Sequence, residues 1–293
     1  MSIVSFCDVT RAFGKNWALN GVTLEIEEGA ALGLIGRNGA GKTTLLRMIP
    51  PLLHATSGEV RVLGMEPWTH QDEVRAELGY LSNADPYPPK LRIRDLFDLC
   101  RAARPKWDQA WADRLRDAMG LSEKSELGAL STGQQRQVGM IAAVCHRPKL
   151  LVLDEPAGGF DPIVRREMLG LVAQLCAESE STLILSSHQF ADIERLSSSV
   201  ALLHEGRLLG HRPLDRLRDE AFRVHVAIAD FDTYLLHGLP DRVSLRKGAD
   251  GVDATFLCGE SALRDKLAAY GVPGDKVEIV HLTLEELFID WAA

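Results

Sequence analysis

Paired cysteines are missing from this chain. Its five cysteines, Cys7, Cys100, Cys145, Cys176 and Cys258, are scattered, odd in number and form no CxxC pair. Such a set argues against a disulfide framework and for reduced thiols in a cytosolic protein. An excess of positive charge is also lacking: 33 Lys and Arg face 41 Asp and Glu, a net charge of -8, with the acidity concentrated beyond residue 212. That excludes a non-specific nucleic-acid binder, which needs clustered cations to displace counterions, and an electrostatic anchor on anionic lipid. No uncharged apolar run approaches the roughly 18 residues that cross a bilayer. The longest candidates, such as Val138 to Cys145, are core-sized. Residues Met1 to Asp8 carry neither a basic leader nor a long apolar core, so no secretory signal is expected. There is no internal repeat and no low-complexity tract.

What remains is the composition of an ordinary globular protein, 46% apolar and 25% charged over 293 residues, a length that suits two domains. Strand-like patches open the chain at Val4 to Val9, Val22 to Ile26 and Ala30 to Ile35. A glycine-rich turn follows, and Lys42 to Ile49 has helical composition until Pro50-Pro51 stops it. Gly58 to Gly64 reads as another strand. Between Ile93 and Gly120, Leu96, Leu99, Trp107, Trp111, Leu115 and Met119 recur at helical spacing, as in a helical subdomain whose tryptophans serve plain core packing. Leu150 to Leu153 and Thr182 to Leu185 are continuous apolar runs of the kind found in a parallel sheet covered on both faces, with a helix at Arg165 to Ala177 between them. Strand, helix, strand repetition implies an α/β core with right-handed crossovers. After residue 212 the order changes to strand (Arg223 to Ile228), helix (Phe231 to His237), hairpin (Val243 to Leu245, Val252 to Leu257), helix (Ser261 to Tyr270), strand (Val277 to Val280) and helix (Leu284 to Trp291). That order suits a small βαββαβ domain of split-βαβ type.

Gly36-Arg37-Asn38-Gly39-Ala40-Gly41-Lys42-Thr43-Thr44 satisfies the phosphate-loop pattern between a strand and a helix. Its glycines let backbone N–H groups turn toward phosphates, and the helix presents its positive end. Lys42 reaches the β- and γ-phosphates, and Thr43 offers a hydroxyl to Mg²⁺. Average residue frequencies put a chance match at about one in a hundred before that context is counted. The loop therefore implies a nucleoside triphosphate. Downstream, the strand Leu150 to Leu153 ends in Asp154-Glu155. Asp154 is placed to hold the Mg²⁺ shell, and Glu155 to face the γ-phosphate and polarise the attacking water.

Between these motifs stands Leu130-Ser131-Thr132-Gly133-Gln134, and with it the sequence resembles the ATP-binding-cassette (ABC) family, whose signature is Leu-Ser-Gly-Gly-Gln. The departure is Thr132; Ser131 and Gly133 remain. Ser131 and the start of its helix make a second anion site that cannot also touch the loop at Lys42 in the same subunit, so two copies face each other with ATP between them. The resemblance carries further roles, one position at a time. His188 resembles the switch histidine that bonds the γ-phosphate and steadies the catalytic glutamate. Gly159-Phe160-Asp161-Pro162 resembles the D-loop, with Ala157, Gly158 and Phe160 departing from the usual residues, and places Asp161 near nucleotide. Phe13, before Gly14, matches the aromatic that stacks on adenine; packing in the core is its alternative. Asn83 stands where the family places a glutamine that touches Mg²⁺ and links to the membrane partner, one methylene shorter.

The resemblance implies an α/β fold with a P-loop NTPase (RecA-like) core, an antiparallel β subdomain and a helical signature subdomain at about 84–148. Together these make a nucleotide-binding domain over 1–212, followed by a small α+β accessory or dimerisation domain over 213–293. It implies ATP and Mg²⁺ as cofactors. The implied partners are a second nucleotide-binding subunit, identical or paralogous, and a separate permease contacted near Asn83 to Leu99, with Tyr87 and Phe97 on the coupling surface. The implied location is the cytoplasmic face of the inner (plasma) membrane, held peripherally. The ending His281 to Ile289 is similar to that of bacterial drug- and antibiotic-exporter ATPases, or is an amphipathic closing helix. The rival reading, a soluble ABC ATPase acting on nucleic acid or ribosomes, usually has two cassettes or a coiled-coil insert, neither present here. In a third, compatible reading residues 213–293 regulate the motor. No nucleic-acid partner is expected.

Overall fold

Three sequence-remote apolar runs become neighbours in one sheet. The computed structural model describes residues 1–83, 87–227, 239–247, 251–272 and 277–292, which form two compact units, Met1–His211 and Arg212–Ala293. In the first, β1 (Ser2–Phe13), β2 (Asn16–Glu27) and β4 (Ser57–Val62) build an antiparallel sheet in the order β2-β1-β4. A six-stranded sheet lies beside it in sequence, with β3 (Ala31–Ile35), β5 (Leu78–Leu81), β6 (Leu150–Asp154), β7 (Thr182–Ser186), β8 (Ser199–His204) and β9 (Arg207–Pro213) in the order β5-β6-β7-β3-β8-β9. From β5 to β8 every pairing is parallel. Every residue of β6 and β7 is buried, as strands covered on both faces must be. Because β6, β7 and β3 are adjacent and run in the same direction, the loops leaving them share the carboxyl rim where open α/β sheets bind ligands.

Among the described residues of this unit are seven α-helices, α1 (Lys42–Leu46), α2 (Gln71–Glu77), α3 (Ile93–Ala103), α4 (Gln109–Ala118), α5 (Thr132–Val144), α6 (Pro162–Ser179) and α7 (Phe190–Leu196), and a short 3-10 turn at Leu127–Ala129. The helix expected from Lys42 to Ile49 is shorter. It tightens after Leu46, where Met48 N bonds Leu45 O at 3.1 Å and Ile49 N bonds Leu46 O at 3.3 Å, because Pro50 cannot donate and disfavours a helical residue before it. The stretch Ile93 to Gly120 is two helices, broken at Arg104-Pro105, with Asp108 capping the second by accepting from Trp111 N at 2.8 Å. Trp107 and Trp111 are half-buried. One packs against Phe97 with ring centroids 5.7 Å apart, and the other lies under the Arg147 guanidinium. Leu99, expected on the buried stripe, is 59% exposed.

The second unit has α8 (Leu214–Glu220), then β10 (Ala221–Ala227), β11 (Arg242–Lys247), β12 (Gly251–Leu257), α9 (Glu260–Ala269), β13 (Val277–His281) and α10 (Leu284–Trp291). Its sheet is antiparallel in the order β11-β12-β10-β13, so the first strand sits between the third and fourth. Val224, Val226, Ala254, Phe256, Leu263 and Leu267 form its core. The helix expected at Phe231 to His237 lies outside the described residues, as do Ile228 and Pro86.

Candidate functional site

The loop after β3 starts where a side chain has no room. A Cβ on Gly36 would meet the Leu203 carbonyl oxygen at 2.5 Å, and one on Gly41, whose φ is +104°, would meet Ala18 O at 2.5 Å. Only glycine fits both places. Gly41 is the residue before α1, and Lys42 follows with its ammonium turned back over the loop, donating to Gly36 O at 2.6 Å and Arg37 O at 3.3 Å. Lys42 is buried, which pushes its pKa down, while Glu155 and Asp154 pull it back up. A charged amine kept on carbonyl oxygens at the mouth of a glycine loop is poised to exchange them for phosphate oxygens.

β6 delivers the two carboxylates. Asp154, 1% exposed, is held from both sides: Thr43 Oγ1 donates to Oδ2 at 2.8 Å and Ser186 Oγ donates to Oδ1 at 2.6 Å. Glu155 has a left-handed backbone, φ +51°. Its N–H donates to Ser186 O at 3.1 Å and Ser186 Oγ at 3.0 Å, and its Oε2 accepts from His188 Nδ1 at 2.6 Å. A cleft of about 210 Å³ is lined by Ala18, Arg37 to Thr44, Asn83, Asp154 and Glu155. Thr43 and Asp154 present the hard oxygen donors that Mg²⁺ prefers, so the residues present fit that ion.

The expected site residues separate into those gathered here and those that stand apart. Arg37, Asn38, Gly39, Ala40, Gly41, Lys42, Thr43, Thr44, Asn83, Asp154 and Glu155 line the cleft, and Gly36 and His188 join it through Lys42 and Glu155. Asn83 is there, but its carbonyl oxygen accepts from Arg136. Ser131, Gly133, Gln134, Asp161 and Phe13 are not in the lining. Ser131 and Gln134 form a reciprocal cap of α5: Ser131 Oγ accepts from Gln134 N at 3.2 Å and Gln134 Oε1 accepts from Ser131 N at 3.0 Å. Ser131 remains exposed with its own hydroxyl proton to donate. Asp161 caps α6 through Ile163 N and Val164 N at 2.9 and 3.1 Å. Phe13 is 50% exposed, with the Arg11 guanidinium over one face of its ring at 4.5 Å; it is not a core residue.

Sequence reasoning missed Ser186, whose hydroxyl donates to the Asp154 carboxylate and accepts from the Glu155 backbone N–H, and Arg136. It also missed Asp192, which accepts from Ser187 Oγ at 3.0 Å and from Arg165 Nη2 at 2.6 Å and so ties α7 and α6 to the residue beside His188. The run Ser186-Ser187-His188 was the available signal. Phe97, expected on a coupling surface, is 1% exposed and belongs to the core of the helical region. Tyr87 is also largely covered: burial pushes its phenol up to about 12.

Residues 19–158 match the family described as ABC transporter. The ABC transporter ATP-binding protein YtrB of Bacillus subtilis (strain 168) is 32% identical over 287 residues, covering 98% of this chain and 97% of that protein. The bacitracin transport ATP-binding protein BcrA of Bacillus licheniformis is 31% identical over 219 residues, 74% of this chain and 72% of that one. Among solved structures, an ATP-binding subunit of an ABC transporter superposes with a TM-score of 0.66 at 25% identity, covering 74% of this chain and 92% of its own.

Proposed function

The chain belongs to the ABC transporter ATP-binding proteins, and on that premise we propose how its residues divide the work. The protein is the ATP-binding and ATP-hydrolysing subunit of an ABC transporter. Its homologues dimerise and act with membrane permease components. Among the described residues no helix is long and apolar enough to cross a membrane, which accords with a separate permease.

In this reading the backbone N–H groups of residues 36–44 and the Lys42 ammonium take the phosphates, and the half-exposed ring of Phe13 stacks on adenine. Thr43 and Asp154 would hold Mg²⁺, which would neutralise phosphate charge, and Asn83 would join them once its oxygen leaves Arg136. Glu155 accepts the proton of the water that attacks the γ-phosphate. His188 keeps the Glu155 carboxylate aimed through the bond at 2.6 Å, and this contact at the rim of the phosphate loop is the observation that carries the assignment. Ser131, Gly133, Gln134 and Asp161 serve the nucleotide of a second cassette, identical or paralogous. Ser131, Gln134 and Asp161 are exposed and none of the four lines this cleft, which supports that reading. Closure of two cassettes around ATP would then drive a permease docked near Asn83 to Leu99, from the cytoplasmic face of the inner membrane. Residues 213–293 form an accessory or dimerisation domain. The ending Leu284-Glu285-Glu286-Leu287-Phe288, similar to that of bacterial exporter ATPases, supports export as the direction.

The test is Glu155→Gln with ATP and Mg²⁺. Loss of a general base costs about 10²- to 10⁴-fold in rate, so hydrolysis should fall to a small residual rate while a dimer accumulates by mass measurement. Hydrolysis at the unmodified rate would overturn the assignment.

A further inference from the structure

Arg136 sits in the second turn of α5, five residues after Ser131, yet its guanidinium lies among the residues at the ends of β5 and β6. Nη1 donates to the backbone carbonyl of Glu155 and Nη2 to Asn83 Oδ1. The planar fork of arginine suits this, because two fixed donors reach two acceptors at once. Burial lowers its pKa, and the nearby carboxylates of Glu155 and Asp154 oppose that; a guanidinium stays charged throughout.

The chain makes room for it. A Cβ on Gly158 would stand 2.7 Å from Arg136 Nη1 and 3.3 Å from Cζ. Gly158 does not have a positive φ, so the need at this position is space for the guanidinium. Gly158 N also donates to Glu155 O at 3.2 Å, closing the turn that the arginine braces.

Glu155 is a residue with a Cβ in the left-handed region, a conformation that persists only where its surroundings over-determine it. Three groups do so here: Ser186 at its N–H, Arg136 at its carbonyl and His188 at its carboxylate. We propose that Arg136 is a positioning residue for ATP hydrolysis, tying the backbone of Glu155 and the side chain of Asn83 to the helix that carries Ser131 in the same protomer. The signature helix, the Asn83 segment and the base then move together. Since Asn83 Oδ1 is engaged, release of that bond is what frees Asn83 for the nucleotide side of the cleft. The inference rests on Glu155 being the base.

The experiment measures kcat and KM for ATP separately on the full chain, for Arg136→Ala, Arg136→Lys and Gly158→Ala, each also combined with Glu155→Gln. Misaiming a catalytic group by about an ångström costs up to about 100-fold. Arg136→Ala and Gly158→Ala should each lower kcat about 10- to 100-fold with KM changed less than about twofold, the pattern of an interaction that matters only in the transition state. Arg136→Lys should recover part of the rate. In the Glu155→Gln background neither alanine should slow the residual rate further. Full kcat in Arg136→Ala, a loss confined to KM, or a loss that multiplies with Glu155→Gln would each overturn the proposal. If Arg136→Ala fails to fold, Arg136→Lys and Gly158→Ala decide it by the same criteria. A Glu155→Gln variant that hydrolyses normally removes the base assignment and the inference with it. A dead Glu155→Gln beside a fully active Arg136→Ala removes the inference alone.

Discussion

Ser186 Oγ lies 2.6 Å from Asp154 Oδ1 and 3.0 Å from Glu155 N, so one hydroxyl on β7 donates to the carboxylate proposed to hold Mg²⁺ and accepts from the backbone of the proposed base. The register of the parallel pair sets this, since Asp154 stands opposite Ser186. Ser186→Ala leaves Asp154 Oδ1 buried without that donor, at a cost of about 1–3 kcal/mol in stability. The same substitution should raise the Mg²⁺ concentration needed for half-maximal ATPase, because Thr43 is then the remaining side-chain donor to Asp154 among the described residues. Mg²⁺ titration of the purified variant checks this, and an unchanged midpoint would separate Ser186 from the metal side.

Lys42 gives the site a pH dependence with a definite sign. Burial has lowered its pKa from the usual 10.5 in the protein without nucleotide. Phosphates bound beside it favour the charged form and raise it again. Binding therefore takes up a proton wherever the free protein has lost one, and affinity falls as pH rises through the lowered value. ATP affinity measured from about pH 7 to about pH 10 should decline earlier than an ordinary lysine would dictate. Lys42→Arg, which does not titrate in that range, should flatten the decline.

Much of this was legible because the relevant residues are contiguous. The phosphate loop, Asp154-Glu155 and the strand before each are local patterns, and a parallel sheet with both faces covered leaves continuous apolar runs that cannot be mistaken for alternating ones. The last helix, Leu284 to Trp291, has the bounds that its pattern predicts, since Thr283 and Glu286 make a reciprocal cap at its start. What was not legible depends on pairing across the fold. Nothing in Arg136 itself says that it reaches Glu155 and Asn83, and Gly158 looks like a loop residue until a guanidinium is found beside it. The helical region was misread for a different reason. Amphipathic spacing ran on through Pro105, and a stripe drawn across that break put Leu99 on the buried face, while Phe97 was placed on the surface.

That misreading yields a test of the permease docking surface. Phe97 is buried, so Phe97→Ala should destabilise the helical region by about 3–5 kcal/mol and impair every activity. Leu99, 59% exposed on α3, is the better probe. Leu99→Glu should change stability by less than about 0.5 kcal/mol and leave ATPase of the isolated subunit intact, while lowering transport in vesicles reconstituted with the permease. Undiminished transport would move the docking surface off this face of α3.

In the second unit the closing helix is fastened by one carboxylate. Asp290, 3% exposed, accepts from Arg223 Nε at 2.9 Å and Thr255 Oγ1 at 2.6 Å, and Arg246 Nη1 lies 3.3 Å from its other oxygen. Arg246 Nη2 also donates to Ile289 O at 2.6 Å, so β10, β11 and β12 all hold α10. Removing the carboxylate takes the ion-pair partner from two guanidiniums that are 30% and 41% exposed, and water reaching them moderates the loss. Breaking a fully buried pair costs about 3–5 kcal/mol; Asp290→Ala should therefore cost somewhat less, about 2–4 kcal/mol. Thr255→Val removes a single neutral donor and should cost about 1 kcal/mol. Hydrogen exchange on the full chain reads both: amides of α10 and β10 should lose protection in the order Asp290→Ala, then Thr255→Val. Equal protection in the two variants would mean that apolar packing of Leu284 and Leu287, both buried, holds the helix without the ion cluster.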